Sequence, residues 1–187
     1  MKAGTTMYPS ELTGAYTIDP AHSRFGFVAR HAMVTKVRGS IPVQEATAQL
    51  NAGNPAASTV RVVLDATGIH TGNQLRDDHL RTGDFLDATA HPHITFDSTS
   101  VKHLDGDSFE VTGDLTIRGT TRQITVPLDY AGTAVDAQGL TRVGFEGSTV
   151  INRKDFGITY NAVLETGGVM ISERITLEFD LSAVKTA

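Results

Sequence analysis

The run Phe109–Arg118, FEVTGDLTIR, decides the fold class of this chain. Its odd-numbered positions carry Phe, Val, Gly, Leu and Ile, and its even-numbered positions carry Glu, Thr, Asp, Thr and Arg. Successive side chains on a β-strand point to opposite faces of a sheet, so the run predicts a strand with one apolar and one polar face. Such strands are typical of an antiparallel sheet that covers a core on one side and meets water on the other.

The same alternation continues on both sides of this run. Turn signals separate the alternating segments, and Asp105-Gly106 is the strongest hairpin signal among them. The pattern indicates about eight antiparallel strands, in a sandwich or a closed barrel. A barrel leaves no exposed strand edge, and Gly113 and Gly147 on apolar faces favour an incompletely filled interior, so we predict a barrel. The alternating segments are Arg24–His31, Val34–Leu50, Val60–Leu64, Ile94–Asp97, Ile124–Tyr130, Val143–Ile151 and Ile175–Leu181.

Length and composition favour one globular domain. The chain has 187 residues, of which 40% are hydrophobic, and no linker of low complexity divides it. We predict a flexible N-terminal tail over residues 1–14 and a single domain over residues 15–187. The fold class is predicted as all-β with one short helix.

Charge and the missing residue types exclude several functions. A net charge of −5 with scattered Lys and Arg argues against nucleic acid as a partner. The absence of cysteine excludes disulfides, thiolate catalysis and cysteine-bound metals. No segment has the apolar length of a signal peptide or a spanning helix, so we predict a soluble, cytoplasmic protein without stable membrane insertion.

One segment, Arg76–Asp97 (RDDHLRTGDFLDATAHPHITFD), departs from the strand pattern. It predicts a short helix that Thr71 caps, with Gln74 completing a capping box and Gly83 ending the helix. Phe85-Leu86 is an apolar pair suited to anchoring the segment onto the sheet.

The histidines of this segment suggest a metal-dependent enzyme as one hypothesis. His79, His91 and His93, with Asp77 or Asp78, supply residue types that bind zinc or iron. The spacing matches no sharp signature, because Pro92 extends the backbone between the last two histidines. The alternative is a histidine that forms a hydrogen bond at the entrance of a strand. An acid–base pair of His79 and Asp78 lacks a recognisable nucleophile, and carboxylates in a first helical turn are usually capping residues.

A second polar motif, Asn152–Gly157 (NRKDFG), lies between two apolar runs. Its Arg and Lys could receive an anionic group such as a phosphate. The alternative is a turn in which the Arg pairs with a local Asp and the Gly takes a positive φ. No glycine-rich phosphate loop occurs, which argues against nucleotide cofactors.

Several short motifs follow one another along the chain: YTIDPAHS at 16–23, FVARH at 27–31, RDDHL at 76–80, DF at 84–85, HPHITF at 91–96, GDLTIRG at 113–119 and NRKDFG at 152–157. Together they resemble those of the YceI-like, polyisoprenoid-binding proteins, and the resemblance extends from Tyr16 to Leu181. It implies a lipocalin-like, extended eight-stranded barrel with a helix beside it, and a hydrophobic tunnel for an isoprenoid, a quinone-like lipid or a fatty amphiphile. It implies no established enzymatic activity; many members carry an export signal, which is not visible here, and some form dimers.

We therefore predict a lipid-binding module for storage, transport or sequestration, with no catalytic residue, no bound metal and no cofactor other than the lipid. Eight strands enclose an interior just wide enough either to fill or to hold one small ligand, so ordinary core packing is the alternative for each apolar residue. A homodimer is considered, and a barrel that serves only as a scaffold for a protein partner is a third hypothesis. Arg76, His79 and Arg153 are the polar candidates at the mouth. The apolar candidates are Phe25, Phe27, Phe96, Phe109, Val111, Leu115, Phe145, Phe156, Leu177 and Phe179.

Overall fold

A computed structural model describes residues 12–165 and 167–187 of the chain. The predicted tail lies mainly outside these residues, but Leu12 is buried and Gly14 already begins the first strand. The described residues form ten strand segments and one α-helix. In chain order these are β1 Gly14–Ile18, β2 Arg24–His31, β3 Thr35–Ser40, β4 Val43–Leu50, β5 Thr59–Asp65, α1 Gln74–Leu80, β6 His93–His103, β7 Ser108–Ile117, β8 Thr120–Val135, β9 Thr141–Asn152 and β10 Arg174–Lys185.

The strands close into the predicted eight-stranded antiparallel barrel. The pairing runs from β1 through β4 to β10 in chain order, and β10 returns to β1. The hairpin β2–β3 extends this circle, because β10 pairs with β2 along Thr176–Asp180 and with β1 along Ala183–Lys185. Ten segments thus occupy eight positions, and the predicted fold class is confirmed. β1 and β2 form one interrupted strand of the barrel, which breaks at Pro20, and β3 and β4 form another, which breaks at Pro42.

The barrel has two distinct ends. At the hairpin end lie the connections 51–58, 104–107 and 136–140. At the helix end lie the β2–β3 turn 32–34, the segment 66–92 that contains α1, the turn 118–119 and the loop 153–173. The helix end therefore carries both polar motifs that the sequence singles out.

The helix is shorter than predicted and begins differently. Asn73, not Thr71, caps α1 by accepting a hydrogen bond from the Arg76 N–H, and the helix ends at Leu80 rather than at Gly83. Thr71 instead donates its hydroxyl to Asp77, so the predicted capping box is wrong. The sequence did not distinguish the two positions, because Asn and Thr are both good N-cap residues.

The apolar pair Phe85-Leu86 anchors the segment after α1, as predicted. Both residues are buried in a cluster that includes Ile94 of β6 and Leu115 of β7. Burial of side chains of this size contributes roughly 1.5–3 kcal/mol each. The segment 66–92 is thereby fixed across the helix end of the barrel.

The inward glycine Gly113 has a different cause from the one that the sequence suggested. A Cβ atom built there would lie 2.5 Å from the Phe96 ring and 2.5 Å from the Asp97 carbonyl oxygen. The position is therefore small because the Phe96 ring packs over it, and not because it enlarges the interior. The interpretation of Gly113 as evidence for an unfilled space is wrong, although the barrel itself is correct.

Pro127 lies where the pairing of β8 with β9 begins. The β8–β9 ladder joins Leu128 to Gly147 and continues to the hairpin end. Between the preceding residues of β8 and the last residues of β9, the Thr149 hydroxyl donates to the Thr125 carbonyl at 3.3 Å. Proline has no N–H to give to a ladder, so it suits this position, at the end of the β8–β9 ladder.

A charge cluster joins the break between β1 and β2 to the β8–β9 hairpin. The Arg142 guanidinium donates to Asp19 at 2.7 Å and to Asp136 at 2.8 Å, and His22 Nδ1 lies 2.7 Å from Asp19. The hydrogen bond from Arg142, followed by that from His22, lowers the pKa of Asp19 to about 2. The pKa of Asp136 is also lowered, first by the Leu140 N–H and then by Arg142.

We expect Arg142→Met to weaken the acid dependence of stability. A carboxylate whose pKa is lowered on folding stabilises the fold above its ordinary pKa of 3.8, and this contribution is lost as the pH falls toward about 2. Thermal unfolding followed by circular dichroism should therefore show a wild-type Tm that falls more steeply than the variant's in this window. The matched control is Arg122→Met, an exposed arginine of β8 that bonds only its neighbour's carbonyl. Parallel pH profiles for wild type and Arg142→Met would contradict the assignment.

Candidate functional site

The apolar faces of the strands enclose two adjoining cavities. The hairpin-end cavity has a volume of about 120 Å³ and the helix-end cavity about 130 Å³. Val60, Val111, Leu128 and Leu181 line both, so these four side chains form a waist between them. The two apolar cavities therefore follow one another along the inside of the barrel and meet at these four side chains.

The interior is long relative to its width. On β7, Phe109 lines the hairpin-end cavity and Ile117 lines the helix-end cavity. A strand rises about 3.3 Å per residue, which places these residues roughly 26 Å apart along the strand. With a strand tilt of about 40°, the distance along the barrel axis is roughly 20 Å. This shape suits an extended chain better than a compact molecule.

Nine of the ten predicted apolar residues lie on the cavity walls. Val111 belongs to the waist. The aromatic rings contact one another edge to face, with centroids 6.0 Å apart for Phe25–Phe179 and 6.2 Å apart for Phe109–Phe145. Such contacts stabilise the wall beyond the area that they bury. Phe109 and Phe145 line the hairpin-end cavity, and Phe25, Phe27, Phe96, Leu115, Leu177 and Phe179 line the helix-end cavity. Their contact with a ligand stays a prediction.

Phe156 lies outside both cavities. It is almost completely buried and belongs to the core cluster of the helix end, together with Phe85 and Ile158. It sits in the short 3-10 turn Arg153–Phe156, which ends in a left-handed Gly157 with φ of 75°. The predicted turn with a positive φ at Gly157 is therefore confirmed, but Arg153 bonds main-chain carbonyls rather than a local Asp. The assignment of Phe156 to the ligand wall is corrected to the core.

Arg153 holds the loop 153–173 together. It is only 3% exposed, and it donates to the carbonyls of Ile158 and Tyr160 at 2.8 Å and of Ser172 at 2.9 Å. A fourth, longer bond reaches the Ile171 carbonyl. Burial lowers the pKa of Arg153, and Glu173 opposes this shift. Because main-chain oxygens already accept its N–H groups, the arrangement is typical of a structural arginine.

Arg76 also bonds to its own segment. Its guanidinium donates to the Thr71 hydroxyl at 2.8 Å and to the Thr71 carbonyl at 3.0 Å. The buried Asp77 accepts from the Thr71 N–H at 2.9 Å. The RDDHL motif therefore fixes the loop that enters α1, and ligand contact by Arg76 stays a prediction.

His79 connects α1 to the loop 153–173. Its Nε2 lies 2.8 Å from Asp84 Oδ2, and its ring meets Phe85 and Tyr160 edge to face at 4.9 and 5.1 Å. The other two histidines of the metal hypothesis are in different surroundings. His91 packs over Gly119, and His93, the first residue of β6, lies opposite Asp65 in the β5–β6 ladder. In the ranges 12–165 and 167–187, no three His, Asp or Glu side chains are grouped as metal ligands.

Some wall residues on β1 and β8 are not among the predicted site residues. Tyr16 and Tyr130 line the hairpin-end cavity beside Asn51 and Ser58. The Tyr16 hydroxyl donates to the Leu12 carbonyl at 2.9 Å, and burial, with Tyr130 adding to it, raises the pKa of Tyr16. Both tyrosines stand in step with apolar neighbours of their strands, and this signal was sufficient to place them inside. Thr95 is the polar side chain that lines the helix-end cavity.

Comparisons with known proteins match nearly the whole chain. The family model of the YceI-like domain matches residues 16–183. Protein YceI of Shigella flexneri is 38% identical over 151 residues, which is 80% of this chain and 78% of that protein.

Two solved structures share the fold. BcnA of Burkholderia cenocepacia aligns with a TM-score of 0.77 at 23% identity, over 88% of this chain and 98% of that one. A polyisoprenoid binding domain from Saccharophagus degradans aligns with a TM-score of 0.66 at 14% identity, over 91% and 98%. Among the described residues, no helix has the length and apolar character needed to cross a membrane.

Proposed function

The chain belongs to the YceI-like domain family, and from this membership we propose that it binds a long-chain isoprenoid or a related amphiphilic lipid inside the barrel, for storage, transport or sequestration. The observation that carries the proposal is the elongated apolar interior with its waist. The polyisoprenoid binding domain of Saccharophagus degradans, which has the same fold, supports this class of ligand.

The energetics suit a ligand that is mainly hydrocarbon. Each buried CH₂ group stabilises a complex by roughly 0.8 kcal/mol, so about ten of them contribute roughly 8 kcal/mol before the loss of ligand freedom is subtracted. Polar side chains are not needed for such affinity. They are concentrated at the hairpin end, where Tyr16, Asn51, Ser58 and Tyr130 line the cavity. The proposed orientation places the polar group of the ligand there and its apolar end toward α1.

We favour binding over catalysis because the candidate acid–base residues serve the fold. His79 pairs with Asp84, and Asp78 accepts a hydrogen bond from Arg81. Asp77, the other acidic candidate, accepts hydrogen bonds from Thr71. A cytoplasmic location and a homodimer stay predictions.

Protein purified without detergent should release an apolar lipid on organic extraction, identified by mass spectrometry. In solution, geranylgeraniol should bind more tightly than its hydrocarbon analogue, since the proposed orientation places its hydroxyl beside Tyr16, Asn51, Ser58 and Tyr130. The chain has no tryptophan, and two of its four tyrosines, Tyr16 and Tyr130, line the cavity, so tyrosine fluorescence should change when a ligand enters. No co-purified lipid, together with no saturable fluorescence change over a panel of prenyl lipids, would refute the proposal.

A further inference from the structure

Exposed apolar side chains meet at the helix end of the barrel. Met33 and Val34 in the β2–β3 turn are 57% and 74% exposed, and Val163 in the loop 153–173 is 84% exposed. The two segments are bonded to each other, because the Ala32 N–H donates to the Met170 carbonyl at 2.7 Å. We call Met33, Val34 and Val163 the apolar tip.

The turn keeps a methionine where the backbone favours other residues. Ala32 and Met33 have φ values of 52° and 64°, in the left-handed region. Two-residue hairpin turns of this kind usually contain Asn-Gly or similar pairs, which adopt such angles at little cost. An exposed, unbranched apolar side chain is thus retained at the tip against local backbone preference, and strain of this kind is concentrated at functional sites.

Two members of the apolar tip, Met33 and Val34, lie in a basic hairpin. The hairpin sequence RHAMVTKVR at 30–38 contains Arg30, Lys36 and Arg38 and no acidic residue, in a chain of net charge −5. Arg30 donates to the Val34 carbonyl at 3.2 Å and so fixes the turn, while Arg38 lies 3.6 Å from Glu178. Apolar side chains beside basic ones fit the surface of an anionic bilayer, where the former enter the headgroup boundary and the latter meet phosphates.

At the hairpin end of the barrel, the turns that carry exposed apolar side chains are acidic. Leu104 and Val135 are also exposed there, but their turns carry Asp105, Asp107 and Asp136. An anionic surface repels these carboxylates. The helix end also carries acidic residues, among them Asp84 and Glu165, so the surface suited to docking is the basic β2–β3 hairpin with the apolar side chains at its turn.

The same hairpin reaches from the tip to the interior. Phe25 and Phe27 of β2 line the helix-end cavity, and β2 continues directly to the turn that carries Met33. We propose that the helix end docks on an anionic lipid bilayer through the apolar tip, with Arg30 and Lys36 on lipid phosphates. Docking rests on the proposed function, because it brings the apolar end of the cavity to the membrane in which a prenyl lipid resides.

The test is flotation of the full chain with phosphatidylcholine vesicles, with and without phosphatidylserine. We expect flotation that requires phosphatidylserine and decreases with added salt. Lys36→Glu should lower the partition coefficient about tenfold or more through the reversed charge. Met33→Asn with Val34→Ser should lower it about tenfold through lost apolar insertion. Asn tolerates the left-handed backbone, so this variant should keep its fold.

The matched control is Leu104→Asn with Val135→Ser, which makes the same chemical change at the hairpin end and should leave flotation unchanged. Equal losses in control and tip variants, or no flotation of the wild type, would overturn the docking proposal. Titration of each variant with geranylgeraniol in solution separates the two proposals. Retained geranylgeraniol binding with no flotation overturns docking alone, whereas tip-dependent flotation without geranylgeraniol binding overturns the ligand and supports docking.

Discussion

Leu128→Trp should weaken the binding of a long prenyl chain about a hundredfold while the barrel stays folded. Leu128 lines both cavities at the waist, and an indole there fills the passage between them. A chain confined to one cavity loses the burial of about four CH₂ groups, or roughly 3 kcal/mol. Since the chain contains no other tryptophan, the indole fluorescence also reports directly on occupancy of the waist.

The matched control for this variant is Val135→Trp on the same strand, where the side chain is 69% exposed. It should bind geranylgeraniol as the wild type does. A ligand short enough for one cavity should bind both tryptophan variants with similar affinity, and circular dichroism should show unchanged strand content. Undiminished binding of long chains by Leu128→Trp would show that the ligand does not pass the waist.

Arg153→Met should lower the free energy of unfolding by about 3 kcal/mol, since its partners are main-chain carbonyls that lose their donors in a buried turn. For a domain of this size the Tm should fall by roughly 6–12 °C. Chemical denaturation measures the free energy, and Arg153→Lys should recover only part of it because an ammonium cannot reproduce the planar fork.

Lys154→Met is the control for this prediction. Lys154 pairs with Glu173 at 2.7 Å, but both side chains are 46% exposed, so the loss should stay below about 1 kcal/mol. If Arg153→Met kept wild-type stability and instead lost affinity for an anionic lipid, the predicted role at the ligand mouth would be correct and the structural role wrong.

The barrel was predictable because its signal is local. Alternation along Phe109–Arg118 sets both the strand and the face that turns inward, and it does so without knowledge of any partner strand. The same reasoning placed Phe25 and Phe179 on the inner wall, where the structure brings their rings together. A waist between two cavities depends on how side chains from four strands meet, and no local pattern contains that information.

The predicted polar residues at the mouth, Arg76, His79 and Arg153, bond to their own loops instead of forming one site, for a related reason. The guanidinium groups of Arg153 and Arg76 could bind an anion, but in the folded loops they donate to main-chain carbonyls and to the Thr71 hydroxyl. Phe156 is apolar and adjacent to a strand. Core residues and cavity-wall residues share these two properties, so the sequence does not distinguish them. The helix ends were misplaced because Thr71 and Asn73 are both competent caps, and Asp77 engages the former.

The interruption of the β8–β9 ladder at Pro127 bears on how fast a closed barrel exchanges its contents. Where two strands are joined by main-chain bonds, parting them requires a cooperative loss of the ladder. Beyond Pro127 the contacts between the two strands include the Thr149–Thr125 hydrogen bond and the apolar cluster that contains Ile124 and Ile151, so parting them there breaks fewer main-chain bonds. The residence time of a ligand would then be governed by packing at this seam, and the thermodynamic stability of the fold could rise or fall without altering it.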